Sequence, residues 1–162
     1  MKTHRRVLTI AVVLSVGCGA TNPSEDVALP MTRLRADPAS FTYSSGLADS
    51  RRTVVRDATA WQEIWTAIWR NHSPEPALPA VDFSREMIVV AALGTRPTGG
   101  YSIFLDSASE GAAGVAIQVR SVSPGSGCAV TLALTQPVDV ARLPRRTGAV
   151  TFVEKHETVV CR

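Results

Sequence analysis

The sequence predicts an α+β fold, a mainly antiparallel, sandwich-like β-sheet with one amphipathic helix packed on it. Three observations lead there. Short apolar runs rich in β-branched residues recur between Gly, Pro and Ser turn signals from Arg52 to Val160. A single segment, Trp61, Ile64, Trp65, Ile68 and Trp69, places its apolar residues at the i, i+3, i+4, i+7, i+8 spacing of one helix face. The strands follow one another without further helices between them, as antiparallel sheets do.

Met1 to Gly17 is not part of that fold. Lys2, Arg5 and Arg6 form a positive n-region, Val7 to Val16 an apolar h-region, and Gly17-Cys18 a small-residue cleavage point, the pattern of a signal peptide. The apolar run falls short of the roughly 20 residues a membrane-spanning helix needs. Cys18 follows Leu14-Ser15-Val16-Gly17, which resembles the lipobox of bacterial lipoproteins except that Ser15 holds the usual aliphatic place. Cys18 is therefore the expected lipidation site, with a plain secretory signal as the competing reading. Residues 18–40, rich in Pro, Ser, Thr and charge and lacking a period, read as a flexible tether. The folded domain is expected over residues 41–162. Both readings of the leader place it outside the cytoplasm, membrane-anchored in the first.

Net charge narrows the partners. The chain of 162 residues carries 17 Lys+Arg against 14 Asp+Glu, a formal +3, and the three excess cations are Lys2, Arg5 and Arg6. Without them the charges balance, so the basic pI gives no reason to expect nucleic acid. Of the three cysteines, Cys128 and Cys161 remain after Cys18, an even pair that an oxidising compartment would join. A buried Cys128 with a free Cys161 is the alternative.

Within the domain, Phe41-Thr42-Tyr43 opens the folded part and Arg52 to Arg56 reads as a short strand. Asp57 or Thr59 caps the helix; Thr59 with Gln62 fits a capping box, and Asp57 fits an N-cap alone. The tryptophan stripe is expected to be core. Pro74 to Pro79 is an extended connector. Glu86 to Leu93 is continuously apolar from Met87, as in a central strand covered on both faces. The segment Leu93-Gly94-Thr95-Arg96-Pro97-Thr98-Gly99-Gly100-Tyr101 reads as a hairpin loop leading to the strand Tyr101 to Ser107. Gly111 to Gly114 turns into Val115 to Val122, which alternates. Pro124-Gly125-Ser126-Gly127 turns into an expected strand from Cys128 to Leu134. Pro137 to Leu143 is expected at a sheet edge because of its proline. Gly148 to Val153 is the last main strand, and Val159-Val160 a short further pairing that would bring Cys161 to Cys128.

Several blocks together carry a resemblance. The Trp-bearing segment from Ala60 to Trp65, then Val81-Asp82-Phe83-Ser84, then Leu93-Gly94-x-Arg96-Pro97-Thr98-Gly99-Gly100-Tyr101, then Pro124-Gly125-x-Gly127-Cys128 resemble the PrcB-type C-terminal domain family, over about Phe41 to Glu154. That family is named after a subunit of a bacterial surface protease complex. The resemblance implies a domain that binds and supports a protein partner, with a surface protease complex as the expected one. The Pro97-Thr98-Gly99-Gly100-Tyr101 loop is also similar to a loop of chagasin-like protease inhibitors, which gives an inhibitor as the second reading.

Enzyme signatures are sparse. His72 and His156 lack metal-ligand spacing, and no phosphate-cradling Gly-x-x-x-x-Gly-Lys loop occurs. Ser126 lies between glycines, but the nucleophile-elbow spacing is missing. Cys128 with His156 would lack an orienting third group. Asp82, Glu86 and Asp106 are single carboxylates. The chain is accordingly expected to be non-catalytic, with no cofactor and no metal. Binding is expected at Arg96, Pro97, Thr98, Gly99, Gly100 and Tyr101, joined by Gly125 and Ser126 if the two turns share one end of the sheet. The rivals from other classes are an unrecognised hydrolase and a carbohydrate-binding module, the latter requiring exposed tryptophans.

Overall fold

The computed structural model describes residues 26–34 and 44–161. Residues 1–17, expected to be a signal peptide, Cys18 and Phe41-Thr42-Tyr43 lie outside these residues. The fold is the expected α+β sandwich, in three layers: a helix, a four-stranded sheet, and a second four-stranded sheet. The strands are β1 (Val27–Leu29), β2 (Thr32–Arg33), β3 (Ser50–Val55), β4 (Glu86–Leu93), β5 (Ser102–Gly111), β6 (Gly114–Pro124), β7 (Val138–Pro144) and β8 (Val150–Val159). The helix, α1, is Ala58–Trp69. One sheet has the order β1-β5-β6-β8 and the other β2-β7-β4-β3.

α1 begins where Asp57, in extended conformation, accepts a hydrogen bond from the Ala60 amide at 2.8 Å. Asp57 is thus the cap, and Thr59 lies inside the helix. The stripe Trp61, Ile64, Trp65, Ile68 and Trp69 is buried against Ile88, Val90, Ala92, Val138 and Val140 of the β4–β7 pair. The Pro74–Pro79 connector runs back along the helix, and the Pro79 and Pro76 carbonyls accept from the indole N–H groups of Trp61 and Trp65, each at 3.0 Å. Burying the rings therefore leaves those two donors satisfied. The other face of β4, with Met87, Val89, Ala91 and Leu93, packs on Ile103, Leu105, Val115, Ile117 and Val119 of the second sheet. β4 is covered on both sides, as its unbroken apolar run requires.

Several expectations are corrected. Residues 26–34 of the supposed tether are structured: β1 pairs with β5 and β2 with β7, so this strap crosses from one sheet to the other. Pro30 divides the two fragments, and neither is long enough alone to show a period of two. β4 and β5 do not form a hairpin; they belong to different sheets, and residues 94–101 connect them. The β5–β6 pair joined at Gly111–Gly114 is the expected hairpin. Cys128–Leu134 is not a strand, and Leu132 and Leu134 are 92% and 73% exposed. β7 is central in its sheet, because Pro137 precedes the strand and β2 covers its far side. β8 is one continuous strand, and it runs parallel to β6.

Candidate functional site

The two glycine-bearing turns do share an end of the sandwich, although the strands before them lie in different sheets. The 94–101 connection leaves β4 through Gly94, whose φ of +73° suits glycine, and where an added Cβ would lie 2.6 Å from the Ser50 amide nitrogen. Arg96 then forms a two-way backbone bridge with Thr135, at 2.7 Å and 3.0 Å. The Gly99 amide donates to Thr131 O at 2.9 Å, and the Thr135 hydroxyl donates to Thr98 O at 2.8 Å. Of the two adjacent glycines, Gly100 has the positive φ, +84°. Gly99 is needed for space: a Cβ there would collide with the Thr131 hydroxyl.

The second segment, residues 124–136, lies over the first. Its base is fixed by Gly125 N–H donating to Val159 O at 2.9 Å and Cys128 N–H donating to Gly125 O at 3.1 Å. The Cys128–Cys161 disulfide, with Cα atoms 4.9 Å apart, ties it to the end of β8. The expected bond is therefore present. The outermost residues of this end are Ala129 and Thr131 to Leu134. Beside them runs an open groove of about 580 Å³ lined by Gly99, Gly100, Val130, Ala133, Leu134 and Thr135.

The residues read from the sequence are thus brought together but presented unequally. Pro97, Gly100 and Ser126 are exposed; Arg96, Thr98, Tyr101 and Gly125 are half-buried, and Gly99 is buried. Arg96, expected to contact a partner, instead turns its side chain back onto the domain. Its Nη2 donates to Leu93 O at 2.8 Å and its guanidinium lies 5.8 Å from the centre of the Tyr101 ring. Together with Ser121, Ser123, His156 and Glu157 they line a second cavity, of about 280 Å³, between the sheets. The Ser121 hydroxyl contacts His156 Nδ1 there, a pairing that sequence separation concealed. Among the described residues no carboxylate is hydrogen-bonded to the other ring nitrogen, so the contact lacks the third group of a nucleophilic triad. Cys128 and His156 do not pair, because Cys128 is in the disulfide. Glu157 has its pKa lowered, first by a hydrogen bond from Lys155, whose Nζ is 2.8 Å away.

Sequence reading missed Leu132, Leu134 and Thr135. The alternation from Cys128 to Leu134 is that of a strand, and the one sign against it in the sequence is the expected bond at Cys128, which pins the segment's start to a distant residue. No group of three or more His, Cys, Asp or Glu that could hold a metal occurs among the described residues. The three tryptophans are buried, which removes the exposed aromatic platform a carbohydrate-binding reading needed.

Residues 87–144 match the family model described as PrcB C-terminal. The PrcB C-terminal match spans β4 to β7, and so contains the 94–101 connection and the whole 125–136 segment. The resemblance seen in the sequence is borne out over that stretch. No curated protein and no solved structure matches the chain.

Proposed function

We propose that this chain is a non-catalytic, extracytoplasmic domain, lipid-anchored through Cys18, that docks a protein partner with the loop end of its sandwich. A protease-complex component is the class of partner to which the PrcB C-terminal description points. The observation that carries the proposal is the exposure of Leu132 and Leu134, at 92% and 73%, on a segment braced by a disulfide and by backbone bonds to Arg96 and Gly99. Apolar side chains held outward on a rigid loop lose little conformational entropy on binding, which favours association. The adjoining groove offers the partner an apolar surface in return. The first described residues enter at the opposite end, where Val27 pairs with Glu110. That is about 27 Å from Ser102, at the usual rise per residue of a strand. An anchor before Asp26 therefore leaves the loop end free.

The inhibitor reading is less well supported, since it needs Thr98–Tyr101 at the apex and Gly99 lies beneath Thr131. A photo-crosslinking residue placed at Leu132 tests the proposal, with one at Glu63 on the exposed side of α1 as control. A single adduct from position 132, identified by mass spectrometry as a protease-complex component and lost in Leu134→Ser, is the expected result. Equal adducts from both positions, or none from 132 in intact membranes, would reject docking at this end.

A further inference from the structure

β8 ends its sheet with ten residues, Val150–Val159, and has β6 on one side only among the described residues. The Ala149 carbonyl accepts from Val115 and the Val159 carbonyl from Gly125, both toward β6. Backbone groups in a strand alternate sides, so those of the odd-numbered residues from 149 to 159 face β6. Those of Val150, Phe152, Glu154, His156 and Thr158 face outward. The side chains divide the same way between the two faces. Val150 and Phe152 pack on the core, whereas Val153 and Val159 are 42% and 45% exposed, with Lys155 and Glu157 between them. An edge of this length and regularity is a template for another strand.

We infer that β8 pairs with β8 of a second copy of this chain, antiparallel about a two-fold axis through His156, giving a continuous eight-stranded sheet. The register follows from charge. Centred on His156, each Lys155 lies opposite the other copy's Glu157, and each Val153 opposite Val159. Opposite charges and β-branched pairs in these positions are favourable cross-strand neighbours. The outward backbone groups of His156 face each other, and those of Glu154 face those of Thr158, so each pair can exchange both hydrogen bonds. Neighbouring registers are worse: centring on Glu154, Lys155 or Glu157 places that residue opposite its own like charge. Within one chain Lys155 Nζ is already 2.8 Å from Glu157 Oε1. In the pair each ammonium lies between two carboxylates, which a lone edge lysine guarding against association would not. The contact is independent of Leu132 and Leu134.

Sedimentation velocity on the purified chain across a concentration series tests the assembly. Dimer is expected, with Lys155→Glu and Glu157→Lys each weakening it by about tenfold or more, since two attractive pairs become repulsive. The double variant Lys155→Glu/Glu157→Lys should return to within about threefold of the parent, because the swap restores both pairs. His156→Cys reads the register directly: in a hydrogen-bonded pair the Cα atoms stand about 5.5 Å apart, within disulfide reach. It should give a reducible cross-linked dimer, and Thr158→Cys should not. A monomer at all concentrations overturns the inference. A dimer in which the swap does not rescue, or in which Thr158→Cys cross-links as well as His156→Cys, overturns this register.

Discussion

Asp139 is the most consequential polar residue of the interior, and its removal is a demanding test of how the two sheets are joined. It is 1% exposed, on β7, facing the other sheet. Its Oδ2 accepts from the Leu105 amide at 2.8 Å, where β5 shifts register between Leu105 and Ser107. The same oxygen is 3.1 Å from Arg33 Nε on β2. Arg33 also donates to Leu105 O at 2.8 Å and lies 3.6 Å from Asp106. Asp139→Ala leaves a buried amide without an acceptor, at about 1–3 kcal/mol. It also removes the partner of a partly buried cation; breaking such a pair costs about 3–5 kcal/mol altogether. Arg33→Ala removes the cation beside Oδ2 while the carboxylate keeps its bonds from the Leu105 and Val140 amides, at about 3 kcal/mol. The double variant loses both charges together, so its cost should fall short of the sum by about 1–3 kcal/mol. Urea unfolding at neutral pH, followed by the fluorescence of the three buried tryptophans, measures all four species. A Tm fall of about 15 °C should accompany the Asp139 change, at about 4 °C per kcal/mol for a domain of this size. Additivity within about 0.5 kcal/mol would refute the coupling, and with it the account of β1 and β2 as a strap locked to both sheets.

Cys161→Ser opens a bond spanning 33 residues of sequence and should lower stability by about 2–4 kcal/mol in the same assay. It should also raise amide exchange between Cys128 and Leu134. Asp82 has its pKa lowered, chiefly by the Ser84 hydroxyl at 2.6 Å and then the Ser84 amide. An NMR titration should find its midpoint below the ordinary aspartate range, and Ser84→Ala should move it up. Because the folded value is depressed, this contact favours the fold above that ordinary range and is lost as pH falls through the folded midpoint. Cys18→Ser should move the chain from membranes to soluble fractions, and unchanged membrane association would refute lipid anchoring.

The sequence by itself determined the elements whose causes are local. The spacing from Trp61 to Trp69 allows one buried face and so one helix, and Asp57 closes its first turn without help from elsewhere. The apolar run of β4 calls for cover on both sides whatever supplies it. The Gly94–Gly100 and Gly125–Gly127 turns, the family resemblance they carry, and the cysteine pair were likewise legible. Tertiary structure decided what each strand faces. A turn's composition shows that the chain bends, but 94–101 bends from one sheet into the other, because α1 already occupies the outer face of β4 and the second sheet must cover the inner one. β1 and β2 are too short to show a period; they exist because β5 and β7 offer them open edges. Cys128–Leu134 has the alternation of a strand. It is held off both sheets by the disulfide and by Thr131 and Thr135 bonding back to the other loop, and its leucines reach solvent for that reason. Strand partners are chosen by contacts between residues far apart in sequence, and no local pattern encodes that choice.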